Sequence, residues 1–329
     1  MHLLQTVPVE PAVPPPGSPY RRFRIPGVVP LPSGGALLYY ECRAGDSDWA
    51  ATDLCMRRVF PDGTVGPRVL LAAGEGGTAN NPVMIAEGGT AHFLYCLNYR
   101  RVFCRRSADG GGTWTPPVEL TAQIEASLNG FFFSCIAVGP GHGLRLASGR
   151  LIAPVWMAYD RSDPHAHRPS VLSALYSDDG GARWRMGAVA DPPGLKNPSE
   201  SCLAELPDGS LLMNARNENP DRRRRLLLSA DGGVSWSAPR TAENLPDPVC
   251  CAGLCRDGDT LLFTNCANEK ARRDLTLKRL TPEGEILEAL TVSQVGGYSD
   301  LCLLPGGRAL VFFERDRALR LSFVALTET

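Results

Sequence analysis

Apolar and polar residues alternate in short runs along most of this chain, and Gly, Pro and Asp interrupt the runs at close intervals. Strand-like segments fall at 35–40, 54–60, 82–85, 92–97, 101–106, 150–156 and 171–176. They continue at 201–205, 210–215, 224–229, 260–265, 275–280, 300–304, 309–314 and 319–324. Short runs bounded by turn residues read as strands, and a long succession of them argues for a sandwich, a barrel or a propeller. Almost no segment sustains a 3.6-residue period, although 117–127 predicts a short helical turn.

Three stretches decide among these architectures. Ser107 to Trp114, Ser177 to Trp184 and Ser229 to Trp236 share the pattern Ser-x-Asp-x-Gly-x-[Thr/Arg/Ser]-Trp. Asp bonds the backbone two residues on, Gly supplies a positive φ, and Trp gives the hairpin a large apolar anchor. Asp179 and Asp231 are spaced as one four-stranded repeat requires, and the wider interval from Asp109 to Asp179 allows an insertion. Two degenerate copies are predicted at 56–67 and 278–286, with turns Pro61-Asp62-Gly63 and Pro282-Glu283-Gly284. The expected fold is all-β, a six-bladed β-propeller over 20–329 preceded by a Pro-rich extended arm at 1–19.

Composition fits one globular unit, with 43% hydrophobic and 21% charged residues. A net charge of -1 leaves no electrostatic footprint for nucleic acid or an anionic membrane. Arg222 to Arg225 form a basic run, read as a solvated strand entry. No apolar stretch reaches the roughly 18 residues of a membrane-spanning helix. The N-terminus lacks the charged start and apolar core of a secretory signal, so the expected location is cytoplasmic, with secretion the alternative for a trimmed chain. Eleven cysteines, several in strand-like runs, read as buried thiols. His165 and His167 lie in a polar Pro-containing stretch and read as a surface loop rather than a metal site.

The three repeats resemble the Asp-box of sialidases and their propeller relatives, and Phe23-Arg24-Ile25-Pro26 resembles the start of the same family. The resemblance runs from Tyr20 onward. It implies three arginines for a substrate carboxylate: Arg24, Arg216 in Met213-Asn214-Ala215-Arg216, and Arg272, with the adjacent Arg273 as the alternative third member. It implies Asp48 as acid/base on a mobile loop, with Arg43 supporting. Glu200 becomes the base beside the nucleophile, Tyr298 the nucleophile, and Glu314 the partner of the first arginine. Asn81, Asp53 and Trp156 become pocket candidates, with Trp156 read equally as a residue packing between blades.

The residue types suit the chemistry. Guanidinium forks are permanently charged and bond both oxygens of a carboxylate. A sialic acid carries that carboxylate on its anomeric carbon, so a neutral phenol is a better nucleophile than a repelled carboxylate. Tyrosine-nucleophile sialidases are a recognised exception to the two-carboxylate glycosidase scheme. The phenol needs a base, Glu200, and the leaving oxygen needs a proton, for which Asp48 is expected to be partly protonated when substrate covers it. The expectation is a retaining exo-sialidase acting on a sialylated glycan, without cofactor or metal and with its oligomeric state open. The alternatives are a retaining glycosidase for another 2-keto-3-deoxy sugar acid, and a non-catalytic propeller that binds carboxylated glycans.

Overall fold

The computed structural model describes residues 1–326. Six sheets, each with four main antiparallel strands, follow one another around a central axis as the blades of a β-propeller. Blade 1 contains Arg22–Pro30, Ala36–Arg43, Thr52–Val59 and Val69–Ala72. Blade 2 contains Ala79–Glu87, Thr90–Leu97, Arg101–Ser107 and Val118–Glu119, and blade 3 contains Cys135–Val138, Leu151–Ala158, Ser170–Ser177 and Arg185–Met186. Blade 4 contains Ser201–Glu205, Leu211–Ala215, Arg223–Ser229 and Arg240–Pro246. Blade 5 contains Gly253–Asp257, Thr260–Cys266, Arg273–Leu280 and Ile286–Val295.

Blade 6 closes the ring from both ends of the chain. Ser299–Leu304, Arg308–Arg315 and Ala318–Ala325 supply three strands, and His2–Glu10 pairs with Ala318–Ala325 as the fourth. Part of the arm expected outside the propeller is therefore a strand of it. Pro8 is tolerated there because the strand lies at the sheet edge, where a missing N–H costs little. Glu10, at the end of this strand, accepts bonds from Tyr40, Arg57 and Arg68 of the first blade. The predicted helix is Thr121–Ser127, with Ile124 buried.

The core is divided into seams between neighbouring blades. Phe23, Tyr40 and Phe312 fill the seam between blades 6 and 1, and Val83, Val155 and Trp184 fill that between blades 2 and 3. The Asp-box turns clamp these seams. In blade 4, Ser229 donates to Asp231 at 2.7 Å, while Asp231 accepts the Ser235 N–H at 2.8 Å and its hydroxyl at 2.6 Å. Arg183 breaks the pattern in blade 3 but keeps its backbone bond to Asp179 at 2.8 Å, losing only the hydroxyl contact. Trp114, Trp184 and Trp236 each pack toward the preceding blade.

Gly233 shows how tight a seam is. Its φ is +88°, and an added Cβ would lie 2.3 Å from Ile152 Cδ1 of blade 3. Gly233→Ala is expected to cost about 1–3 kcal/mol through backbone strain and overlap. Thermal melting checks this, with a drop of several degrees expected.

Candidate active site

First strands begin, and second strands end, at one mouth of the central channel, so residues far apart in sequence meet there. Tyr298 precedes the first strand of blade 6, Glu200 precedes that of blade 4, and Arg216 follows the second strand of blade 4. Glu314 lies near the end of the second strand of blade 6, and Arg272 precedes the third strand of blade 5. Arg24 belongs to the first strand of blade 1, where the register with the second strand shifts between Arg24 and Gly27. Ile25 at that shift has φ +59°, an unfavourable conformation for a β-branched residue. A bulge re-aims side chains next to sites, and here it accompanies the turn of Arg24 toward the mouth.

Tyr298 is the centre of the cluster. Its hydroxyl donates to Glu200 Oε1 and accepts from Arg216 Nη1 at 2.7 Å. The Arg24, Arg272 and Arg216 guanidinium carbons lie 4.8, 5.1 and 5.9 Å from the phenol ring centroid. Arg272 is thus the third arginine at the ring. Arg273 is 60% exposed and faces Asp274 instead.

Two of the three arginines are held by largely buried carboxylates. Glu314 accepts Arg24 Nε at 3.0 Å and Nη2 at 3.4 Å, and also the Ile25 N–H at 3.1 Å. Glu200 pairs with Arg216. Arg272 has no carboxylate within ion-pair distance among the described residues, and its one bond is to the Val249 carbonyl at 3.4 Å. Arg216 Nε is buried without a partner. The cluster therefore offers unused N–H donors, at Arg272 and at Arg216 Nε, which suit an anion.

Asp48 approaches from the loop after the second strand of blade 1. Its Oδ1 accepts Arg43 Nη1 at 2.6 Å and stands 3.8 Å from Arg24 Nη1. Arg43 is itself buried, and its Nε donates to Glu41 Oε2 at 2.6 Å. Glu41, fully buried, also accepts the Asn81 N–H at 2.9 Å. Asn81 lies in a strand that shifts register as blade 1 does, with φ +52° just before Pro82.

Two pocket candidates are committed elsewhere. Asp53 accepts the Tyr20 hydroxyl at 2.8 Å and the Gly74 N–H at 2.9 Å, bracing the loop bases of blade 1 rather than joining the arginines. Trp156 is buried in the seam between blades 3 and 4, with its ring 6.2 Å from Tyr99 and 5.2 Å from His167. Asp46 pairs outward with Arg22 and Arg317. Sequence reasoning missed Glu41, although a carboxylate inside Leu37-Leu38-Tyr39-Tyr40-Glu41-Cys42 is a signal in itself, since a buried charge needs a partner. It also passed over Trp49 and Tyr99, and it read His167 as part of a surface loop, whereas that ring is half-buried against Tyr99 and Trp156.

The charges set the protonation states. Burial raises the Glu200 carboxyl, but the Arg216 charge and the Tyr298 hydrogen bond outweigh it and hold the group down at about 2. Glu314 is likewise lowered, burial being outweighed by Arg24 and the Ile25 N–H. Burial pushes the Tyr298 phenol well up, so it rests as a neutral hydrogen-bond donor. Burial also raises Asp48, yet Arg43 and Arg24 leave it below its ordinary value. In the unliganded site Asp48 is therefore ionised, and the partial protonation expected from sequence requires a ligand.

Residues 34–308 match the BNR repeat-like domain family. The chain belongs to the sialidase superfamily with Asp-box (BNR) repeats. A sialidase of Micromonospora viridifaciens is 26% identical over 92% of this chain and 51% of its own length. Among solved structures, a Hadza microbial sialidase superposes with TM-score 0.79 at 23% identity, covering 93% of this chain and 66% of that one. The intramolecular trans-sialidase from Ruminococcus gnavus superposes with TM-score 0.75 at 15% identity, covering 94% and 96%. The chain spans about half the length of curated relatives it matches.

Because the Glu200 carboxyl falls from 4.5 to about 2 on folding, its stabilisation is fully present above pH 4.5 and is lost as pH falls toward 2. That shift corresponds to about 3 kcal/mol. Melting temperature followed against pH should show a shallower decline over this window in Glu200→Gln than in the parent.

Proposed function

We propose that this chain is a retaining exo-sialidase, a glycoside hydrolase that releases terminal α-linked sialic acids. The observation that carries the reading is the Tyr298–Glu200 hydrogen bond beneath three arginines. A protein that only bound a carboxylated glycan would need the arginines but not a phenol coupled to a buried base. The superfamily membership supports the same reading.

In this mechanism the substrate carboxylate takes the free donors of Arg24, Arg216 and Arg272. Its negative charge takes up the free donors of Arg272 and competes with Asp48 for Arg24. The ligand also covers Asp48 from water. Both effects raise the Asp48 pKa toward the protonated form that the first step needs. The Tyr298 oxygen then attacks the anomeric carbon while its proton passes to Glu200, and Asp48 donates its proton to the leaving glycosidic oxygen as that bond breaks. In the second step Asp48, now a carboxylate, removes a proton from water. The water attacks the same carbon on the face the leaving group vacated, and the phenol recovers its proton from Glu200. Two displacements give net retention.

A methyl ester of the substrate tests the arginines. It cannot form the charge-assisted bonds, so kcat/KM should fall by about 2–4 kcal/mol in transition-state stabilisation. Alanine at any one of the three arginines should cost a similar amount.

Tyr298→Phe tests the covalent route and separates enzyme from binder. The ring still packs, so melting temperature and binding of a sialic acid should persist. Turnover should fall by several orders of magnitude, and a 3-fluoro sialosyl fluoride should label the parent at Tyr298 but not the variant. Near-parental turnover, or a label on another residue, would show that the nucleophile is elsewhere. Assaying aryl glycosides of N-acetylneuraminic acid and of its deaminated analogue distinguishes a sialidase from a glycosidase for the related sugar acid.

A further inference from the structure

Trp49, next to Asp48, is only partly exposed although it lies in the loop between two strands of blade 1. Its indole packs against the cluster that fills the seam between blades 3 and 4. The ring lies 5.0 Å from Tyr99, 4.4 Å edge-on from His165, and 5.9 Å from His167. Tyr99 follows the second strand of blade 2, and the two histidines lie in the loop between the second and third strands of blade 3. Three blades thus meet around one side chain.

The box that receives the indole is itself braced. Tyr99 and His167 pack at a 49° tilt with centroids 4.7 Å apart, and both pack on Trp156. Arg168, beside His167, donates Nε to Glu218 at 2.7 Å, and Asn197 Nδ2 donates to the same carboxylate at 2.9 Å. This ties the histidine loop to the loops of blade 4.

Apart from Trp49, the loop of 44–51 is held by bonds within itself and by solvent-screened ion pairs, Asp46 meeting Arg22 at 3.0 Å and Arg317 at 2.9 Å with its carboxylate 65% exposed. Ala44 N–H bonds the Ala51 carbonyl at 2.8 Å, and the Trp49 N–H bonds Ser47 Oγ at 3.1 Å. Asp48 contributes its contact with Arg43, but that carboxylate is 46% exposed, and solvent screens such a pair. An aromatic side chain brings a large apolar contact area with edge and stacking preferences that fix its orientation.

We propose that Trp49 is the positioning residue for Asp48. Its indole, wedged among Tyr99, His165 and His167, holds the acid-bearing loop against the mouth, so the carboxyl group is delivered to the leaving oxygen by contacts from blades 2 and 3. The proposal rests on the reading of Asp48 as the acid/base. Trp49 itself transfers no proton, so its loss should matter most where protonation of the leaving group is demanding.

The test compares Trp49→Ala, Trp49→Phe, His165→Ala and Asp48→Ala on an alkyl-linked sialoside and on an aryl sialoside with an activated leaving group. Misplacement of a catalytic group by an ångström costs up to about 100-fold. Trp49→Ala should therefore lose about 10- to 100-fold in kcat on the alkyl substrate with KM little changed, and about threefold or less on the aryl one. Trp49→Phe should recover most of the loss, and His165→Ala should fall between. Hydrogen exchange should accelerate in 44–51 of Trp49→Ala and stay parental in the flanking strands. Equal losses on both substrates, or parental exchange in 44–51, would overturn the wedge. If Asp48→Ala itself fails to discriminate between the substrates, the acid/base reading falls, and the exchange of 44–51 still decides whether Trp49 holds the loop.

Discussion

Everything at the channel mouth depends on burying guanidinium groups without leaving them uncompensated. A buried charge without a partner is among the most destabilising features a protein can carry. Arg24 is met by Glu314, Arg216 by Glu200 and Arg43 by Glu41, each carboxylate being largely buried. These pairs leave Arg272 without an acidic partner, and its free donors make the mouth receptive to an anion. The same arrangement determines the state of every titratable group nearby. Glu200 is held ionised beside a phenol that burial keeps neutral, and Asp48 stays ionised until something competes for Arg24 and Arg43.

The propeller makes such a cluster affordable by distributing it. No single blade supplies more than part of the network, and each side chain enters from a strand end whose blade is packed on both sides. Asp300, two residues past Tyr298, shows how the ring locks the site from below. Its Oδ2 accepts the Val28 N–H of blade 1 at 2.9 Å, and its Oδ1 meets His142 Nδ1 at 2.8 Å. The strand that follows Tyr298 is therefore tied to blade 1. The seam beside it is completed by the N-terminal strand and the Glu10 network. Ring closure and site geometry are one problem in this fold.

Much of this could be read before any coordinates. The Ser-x-Asp-x-Gly hairpins announce themselves because their chemistry is local: Asp, Gly and the hydroxyl residue bond within eight positions of one another. Strands of alternating pattern were legible for the same reason. The first strand was not, because its pairing partner lies at the opposite end of the chain and Pro8 argues against a strand until it is seen at an edge. Asp53 and Trp156 matched family-like positions, yet nothing local distinguishes a pocket residue from one that braces Tyr20 or fills a seam.

The sequence by itself determined the repeat and the all-β class, since these follow from side-chain type and short-range spacing, while the candidate site residues came from the family resemblance that those motifs carry. Only the tertiary structure decided which of them meet. Choosing Arg272 over Arg273 depends on which residue faces the Tyr298 ring at a strand entry, and the turn of Arg24 toward the mouth accompanies a register shift at Ile25. The protonation states depend on distances between groups from different blades. Such distances arise from closing six blades into a ring, a global constraint that no local stretch of sequence records.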